Sequence, residues 1–158
     1  MIVKTFQAKS LDISKYSFFL LYGENQGLKD EVIKEIHKNF QSDILKYEES
    51  EILNNPEIIF SELNHTSLFE DKKIILINRV SDKFFSLIEN ILDKKYDDTK
   101  IIINAGSLEK KAKLRSKFEK SQNLVCIPFY TDNTLTLATI ASNFFSKNKI
   151  PISHENIN

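Results

Sequence analysis

Five short apolar runs, separated by longer amphipathic stretches, constrain the fold of this chain more than any other feature. They predict strands at residues 18–22, 44–47, 73–78, 100–104 and 124–127. Several runs, such as Ile74 to Ile77 and Ile101 to Ile103, are continuously apolar instead of alternating. Strands that are apolar on both faces are typical of a parallel sheet covered by helices on both sides. The sequence therefore predicts an α/β fold with a parallel sheet of about five strands flanked by helices.

Apolar residues recur at helical spacing between the predicted strands. The first stripe consists of Leu28, Val32, Ile36 and Phe40. A second predicted helix has Pro56 in its first turn, with Ile59, Phe60 and Leu63 facing inward. A third carries Phe84, Phe85, Leu87, Ile88, Ile91 and Leu92. Leu114 and Phe118 help to define a helix before the last strand, and a further helix follows the cap signal at residues 131–133.

The segment from Gly23 to Asp30 follows the first predicted strand and has the outline of a phosphate-binding loop. Such a loop has Gly, four residues, Gly, Lys, then Ser or Thr. Counting from Gly23 places Leu28 at the second Gly and Asp30 at the hydroxyl position, so that only Lys29 is in register; Gly27 lies one residue early. A bulky Leu obstructs the approach of the backbone to phosphate, and a carboxylate in the first helical turn repels it. The loop is predicted to be a degenerate nucleotide site.

A second element of nucleotide hydrolysis is missing from the sequence as well. Magnesium-dependent hydrolysis needs an acidic pair at the end of a neighbouring buried strand. The strand Ile74 to Ile77 ends instead in Asn78 and Arg79. Asn104, at the end of the next strand, is either the remnant of a polar sensor or a strand-end cap. Neither a catalytic residue nor a metal ligand set is predicted, and no cofactor.

Composition excludes several classes of protein. Lys plus Arg equals Asp plus Glu at 22 each, so no global field attracts nucleic acid or an acidic membrane. No apolar run approaches the length of a membrane span, and the first ten residues lack the apolar core of a signal peptide. These features predict a cytoplasmic protein. Cys126 lies in an apolar stretch and is predicted to be a buried structural thiol.

Two surface features leave alternatives open. Basic residues spread around most of the predicted helix at residues 110–120, which is either a solvated face or a footprint for nucleic acid. Ser67, Leu68 and Phe69 lie in a polar connection between a helix and a buried strand. Leu68 and Phe69 either fold back onto their own domain or form an exposed anchor for a partner. An active P-loop NTPase or kinase with an irregular loop is the alternative function, supported only by Lys29.

In order and spacing, four segments resemble the delta subunit of the bacterial DNA polymerase III clamp loader. They are residues 20–28, Ser67 to Phe69 with the strand after it, residues 105–119 and residues 126–130. The resemblance implies an AAA+/RecA-like domain with a degenerate P-loop at residues 1–131 and the beginning of a helical lid domain at residues 132–158. It also implies a chain cut from a longer protein.

The same resemblance implies a non-catalytic role in DNA replication. The subunit would bind the sliding clamp, the beta subunit, through Ser67, Leu68 and Phe69 and open one interface of the ring. It would have no enzymatic activity alone, although it is part of a DNA polymerase holoenzyme. Its other partners would be further clamp-loader subunits, with DNA contacted only indirectly or weakly and no membrane. Lys29 would then be a surface or helix-start lysine.

Overall fold

The computed structural model describes residues 1–64 and 72–151 of the chain. The strands within these ranges are β1 (Phe18–Gly23), β2 (Asp43–Glu48), β3 (Lys73–Val80), β4 (Thr99–Ala105) and β5 (Val125–Phe129). The α-helices are α1 (Gln26–Phe40), α2 (Glu49–Asn54), α3 (Glu57–Asn64), α4 (Phe85–Ile88), α5 (Lys113–Lys120) and α6 (Thr134–Lys147). Short 3-10 turns occupy Thr5–Ser10, Ile13–Lys15 and Asp82–Phe84.

The described strands form one sheet in the order β2-β3-β4-β1-β5, and every pairing between them is parallel. Each strand overlaps the run that predicted it, because continuous Ile, Leu and Phe are stable where both faces of a strand are covered. Strand β1 lies inside the sheet, with Leu20 opposite Ile103 of β4 and Cys126 of β5. The predicted α/β fold with a five-stranded parallel sheet is confirmed.

Two apolar layers cover the sheet. On one face, α1 packs through Val32, Ile33, Ile36 and Phe40. On the other face lie α2, α3, α4 and α5, through buried residues that include Ile52, Ile59, Ile88 and Leu114. Burying a large aliphatic or aromatic side chain contributes about 2 kcal/mol. Both faces of the central strands are therefore buried, whereas the edge strand β2 is only partly covered.

The long helix predicted across Phe84 to Leu92 is wrong. The chain forms a 3-10 turn and the single-turn helix α4, and turns follow from Glu89 onward. Ile91 N donates to Ile88 O at 2.9 Å and Lys94 N to Ile91 O at 3.1 Å, each to a residue three positions earlier, and Leu92 N donates to Ile88 O at 3.2 Å, so three- and four-residue turns alternate here. Asn90 favours this because Asn has low helix propensity. The turns bring Ile91 and Leu92 into the core without a continuous helix.

Cys126 occupies the middle of β5 and is fully buried. It is opposite Leu20 of β1 on one side and bridges Ile2 on the other. Burial raises the pKa of the thiol to about 12. The prediction of a buried structural thiol is confirmed.

Helix α6 differs from the other helices because large apolar side chains on it face water. Leu137 is 54% exposed, Ile140 49% and Phe144 59%. Asn133 caps its start by accepting a hydrogen bond from Thr136 N at 2.9 Å. None of the described helices is long and apolar enough to cross a membrane.

Candidate functional site

The loop between β1 and α1 begins at a glycine that no other residue could replace without strain. Gly23 has φ +120°, and a Cβ built on it would lie 2.0 Å from the carbonyl oxygen of Phe129. Glu24 N donates to the same oxygen at 3.1 Å. Gly23 is thus required because β5 approaches the loop closely, a reason that involves no phosphate.

The start of α1 is capped by the chain's own side chains. Asn25 Oδ1 accepts a hydrogen bond from Leu28 N at 3.2 Å, and Asn25 Nδ2 donates to Asp132 Oδ2 at 2.7 Å. Asp30 accepts from Gln26 Nε2 at 2.7 Å. Gly27 is helical and has open space around its Cα, with only Asn25 Oδ1 near a built Cβ at 3.7 Å. The side chain of Asn25 therefore occupies the N–H of Leu28, a backbone donor that would otherwise be available to a bound anion.

Lys29 lies in the first turn of α1, as predicted for a helix-start lysine, but it is not on the surface. Only 3% of the surface of Lys29 is exposed to solvent. The Nζ atom donates to the carbonyl oxygens of Gly23 and Ala105, each at 2.9 Å. Burial lowers the pKa of the ammonium group, and the nearby Asp30 partly offsets this. The lysine links the carboxyl ends of β1 and β4 instead of extending into the loop.

The neighbouring strand ends carry amides and an arginine. Asn104 Nδ2 donates to Asn78 Oδ1 at 3.0 Å, which joins β4 to β3. Asn104 is 7% exposed, and its Oδ1 has no hydrogen-bond partner among the described residues. Arg79 adopts φ +54° at an irregularity in the β3–β4 pairing, and its Nε lies 2.8 Å from Glu48 Oε2. Asn104 thus bonds across the sheet edge to Asn78, which is a structural contact.

Two lysines of the basic stretch before β5 form ion pairs with acidic neighbours. Lys110 and Lys111 precede α5, contrary to the predicted helix over residues 110–120. Lys111 Nζ lies 3.1 Å from Glu109, and Lys117 Nζ lies 3.0 Å from Asp93.

Arg115 lies against the core instead of facing solvent. Its guanidinium is 4.7 Å from the centroid of the Tyr22 ring, and its Nε lies 2.8 Å from Glu119 Oε1. Arg115 is therefore not available on the surface to contact nucleic acid.

The predicted anchor residues Ser67, Leu68 and Phe69 lie outside the described residues. The residues on either side are described, and both ends are fixed. Leu63 near the end of α3 packs against the core. Lys73 at the start of β3 donates to Glu62 Oε2 at 3.0 Å, and Tyr47 Oη donates to Glu62 Oε1 at 3.3 Å. The connection therefore begins and ends at a defined place on the domain.

Two contributions to this site were not predicted from the sequence. Asn25 was missed, although an Asn three residues before Leu28 at the start of an apolar stripe is a recognisable helix cap. The hydrogen bond from Lys29 to the carbonyl oxygen of Ala105 could not be predicted from the sequence. The two residues are 76 positions apart, and only the sheet brings them together.

Together, the strand order and the parallel pairings define an α/β domain with a five-stranded parallel sheet, which is consistent with the AAA+/RecA-like fold. A sequence model of the DNA polymerase III delta subunit matches residues 19–128, which is more than half of the chain. The chain belongs to the DNA polymerase III delta subunit family. A search among curated proteins finds no significant match.

Among solved structures, the fold is similar to that of the DNA clamp loader delta protein of Bacillus subtilis. The TM-score is 0.67 at 15% sequence identity, and the match covers 97% of this chain. The chain spans about half of that protein, since 50% of the Bacillus chain is covered. At this identity the likeness concerns the fold.

Proposed function

We propose that this chain is a non-catalytic clamp-loader subunit that binds the sliding clamp and opens its ring during DNA replication. The observation that carries the proposal is the position of Lys29 Nζ, which is hydrogen-bonded to Gly23 O and Ala105 O. A lysine that acts on a nucleotide must reach its β- and γ-phosphates. Lys29, the one residue in register with a phosphate-binding loop, instead donates hydrogen bonds to two main-chain carbonyl oxygens. Membership of the delta subunit family indicates what an α/β domain without a working nucleotide site would do.

Two further features support a degenerate loop. Asn25 caps the start of α1. The carboxylate predicted in the first helical turn is not there, because α1 begins at Gln26 and Asp30 lies beyond that turn. Asn78 and Arg79 occupy the strand end where an acidic pair would hold magnesium. Loss of the phosphate cradle and of the metal site together favours a subunit without hydrolysis over an irregular NTPase or kinase.

The proposed clamp-binding segment contains Ser67, Leu68 and Phe69. Its support is the family resemblance and its place between α3 and β3, both of which pack against the core. Leu68 and Phe69 would fill an apolar cleft on the clamp, and the sheet behind them would transmit the resulting force. A ligand that binds the open ring better than the closed one shifts that equilibrium by its differential affinity. No hydrolysis in this chain is needed for that step.

Calorimetry with ATP and Mg²⁺ tests the absence of a nucleotide site. We expect no saturable heat at millimolar ATP and no increase in the unfolding temperature, because a ligand that binds only the folded state would stabilise it. Saturable binding that Lys29→Ala abolishes would support the NTPase alternative and overturn the proposal. A known ATP-binding protein measured in the same buffer serves as the control.

The proposed partners are the sliding clamp and other clamp-loader subunits, and the proposed location is the cytoplasm, where bacterial DNA is replicated. Direct DNA binding is proposed to be weak. The burial of Arg115 and the ion pairs of Lys111 and Lys117 reduce the positive charge that the basic stretch offers to phosphate. If the remaining lysines carried this weak DNA binding, its affinity would fall steeply as the salt concentration rises.

We further propose that α6 begins a second, helical domain from residue 132. The exposed Leu137, Ile140 and Phe144 support this, because such side chains are normally buried against further helices. Deleting residues 132–158 should then leave the unfolding temperature of the α/β domain within about 2 °C of the parent. A drop of more than about 5 °C would show that α6 belongs to the first domain.

A further inference from the structure

A single side-chain hydrogen bond joins the residues at the starts of helices α1 and α6. Asn25 is the N-cap of α1, and Asp132 directly precedes Asn133, the N-cap of α6. Asn25 Nδ2 donates to Asp132 Oδ2 at 2.7 Å, although the two residues are 107 positions apart in the sequence. The acceptor is a carboxylate, and hydrogen bonds to a charged partner are stronger than those between neutral groups.

Further hydrogen bonds hold the chain on either side of this contact. Asn25 uses its other side-chain atom, Oδ1, to accept from Leu28 N at 3.2 Å, and its backbone N donates to Phe129 O at 3.5 Å. On the other side, Asn133 Oδ1 accepts from Thr136 N at 2.9 Å, and Asn133 N donates to Thr136 Oγ1 at 2.8 Å. A set of hydrogen bonds, interrupted by one peptide bond, therefore runs from the first turn of α1 to the first turn of α6.

The described side chains of α6 contribute little to the core. None of them belongs to either apolar layer of the sheet, and Leu137, Ile140 and Phe144 are largely exposed. The residues between β5 and α6, from Tyr130 to Asn133, are exposed as well. A polar contact at the start of α6 is therefore well placed to determine where the helix lies.

We propose that Asn25 and Asp132 form a latch that positions α6 against the loop between β1 and α1. A helix cap lies at each end of the latch, so loss of the central bond would let α6 turn about the exposed residues 130–133 while both caps stay intact. The segment with the outline of a phosphate-binding loop would then have a structural use that needs no bound anion. The latch acts within the chain and does not depend on clamp binding.

Substitutions of nearly equal shape separate the latch from the cap of α1. Asn25→Asp keeps the cap acceptor Oδ1, because Asn and Asp cap helices about equally well, but it replaces the Nδ2 donor by an oxygen that repels Asp132. Asp132→Asn alone leaves an amide oxygen that can still accept from Asn25. The combination of both changes exchanges donor and acceptor, so that the hydrogen bond forms in the opposite direction. Asp132→Ala removes the acceptor without changing either cap.

Double electron–electron resonance between spin labels at Lys34→Cys on α1 and Ser146→Cys on α6 measures the distance between the two helices in the purified 158-residue chain. Both labelled positions are exposed, and the buried Cys126 does not react with the label. We expect a narrow distance distribution in the labelled parent, and a distribution about twice as wide for Asn25→Asp and for Asp132→Ala. Asp132→Asn and the combined variant should keep the narrow distribution. Circular dichroism establishes that every variant is folded at the temperature of labelling.

The combined variant distinguishes a latch from a contact that only adds stability. A merely stabilising contact would lower the unfolding temperature of Asp132→Ala and leave the distance distribution narrow, which would overturn the proposal. A parent distribution as wide as that of Asp132→Ala would overturn it too. So would a combined variant as wide as Asn25→Asp, because the added charge, and not the lost hydrogen bond, would then have displaced α6.

Discussion

Replacing Leu68 and Phe69 together by alanine is expected to weaken binding of the cognate sliding clamp by about a thousandfold. Two apolar anchors that each contribute about 2 kcal/mol to an interface account for a loss of that size. The unfolding temperature should remain nearly unchanged, because an exposed anchor contributes little to the domain's own core. Surface plasmon resonance against immobilised clamp measures the first quantity and differential scanning calorimetry the second.

A matched control is available on α6. Leu137→Ala with Phe144→Ala makes the same pair of truncations at side chains that are 54% and 59% exposed. That variant should bind the clamp like the parent. If the Leu68 and Phe69 variant instead unfolds many degrees earlier, the two side chains belong to the core and the anchor assignment is wrong.

Replacing Lys29 by methionine is expected to destabilise the domain by about 2 to 4 kcal/mol. Methionine retains the apolar stem of lysine but leaves Gly23 O and Ala105 O without the Nζ donor. A buried carbonyl deprived of its partner costs about 1 to 3 kcal/mol. For a domain of this size the unfolding temperature should fall by roughly 5 to 15 °C. Urea unfolding followed by circular dichroism gives the change in free energy directly.

Lys34→Met is the control for this change, because Lys34 lies on the same helix and is exposed. It should alter stability by less than about 0.5 kcal/mol. The Lys29→Met variant should also still bind the clamp under conditions where it remains folded. Equal stability of the Lys29 and Lys34 variants would contradict the structural role of the buried ammonium.

The strands were predictable because their residues are apolar on both faces, and that pattern does not depend on distant parts of the chain. Ile74 to Ile77 and Ile101 to Ile103 are typical of strands in a sheet that is covered on both sides. The helix predicted across Phe84 to Leu92 failed although the same residues are buried. Apolar residues at helical spacing show which side chains enter the core, whereas the hydrogen bonds at Ile88 and Ile91 decide whether the backbone stays helical.

The candidate site was predictable in part. The residue types at Leu28, Asp30 and Asn78 predict a degenerate phosphate loop, because each is unsuited to the position it would hold in a working loop, and this loop stays a prediction. The burial of Lys29 was not predictable, since the direction of its side chain depends on carbonyls at the ends of β1 and β4. The pair of Glu62 with Lys73 was equally hidden, because it depends on how α3 lies against β3.

The most direct test of the proposed function is binding of the cognate sliding clamp to the purified parent chain without any nucleotide. The account predicts a saturable one-to-one complex that the Leu68 and Phe69 double variant fails to form. Addition of ATP and Mg²⁺ should leave its Kd unchanged, because the proposed subunit has no working nucleotide site. Absence of a complex with the folded parent chain, or a complex that forms only with ATP, would contradict the account.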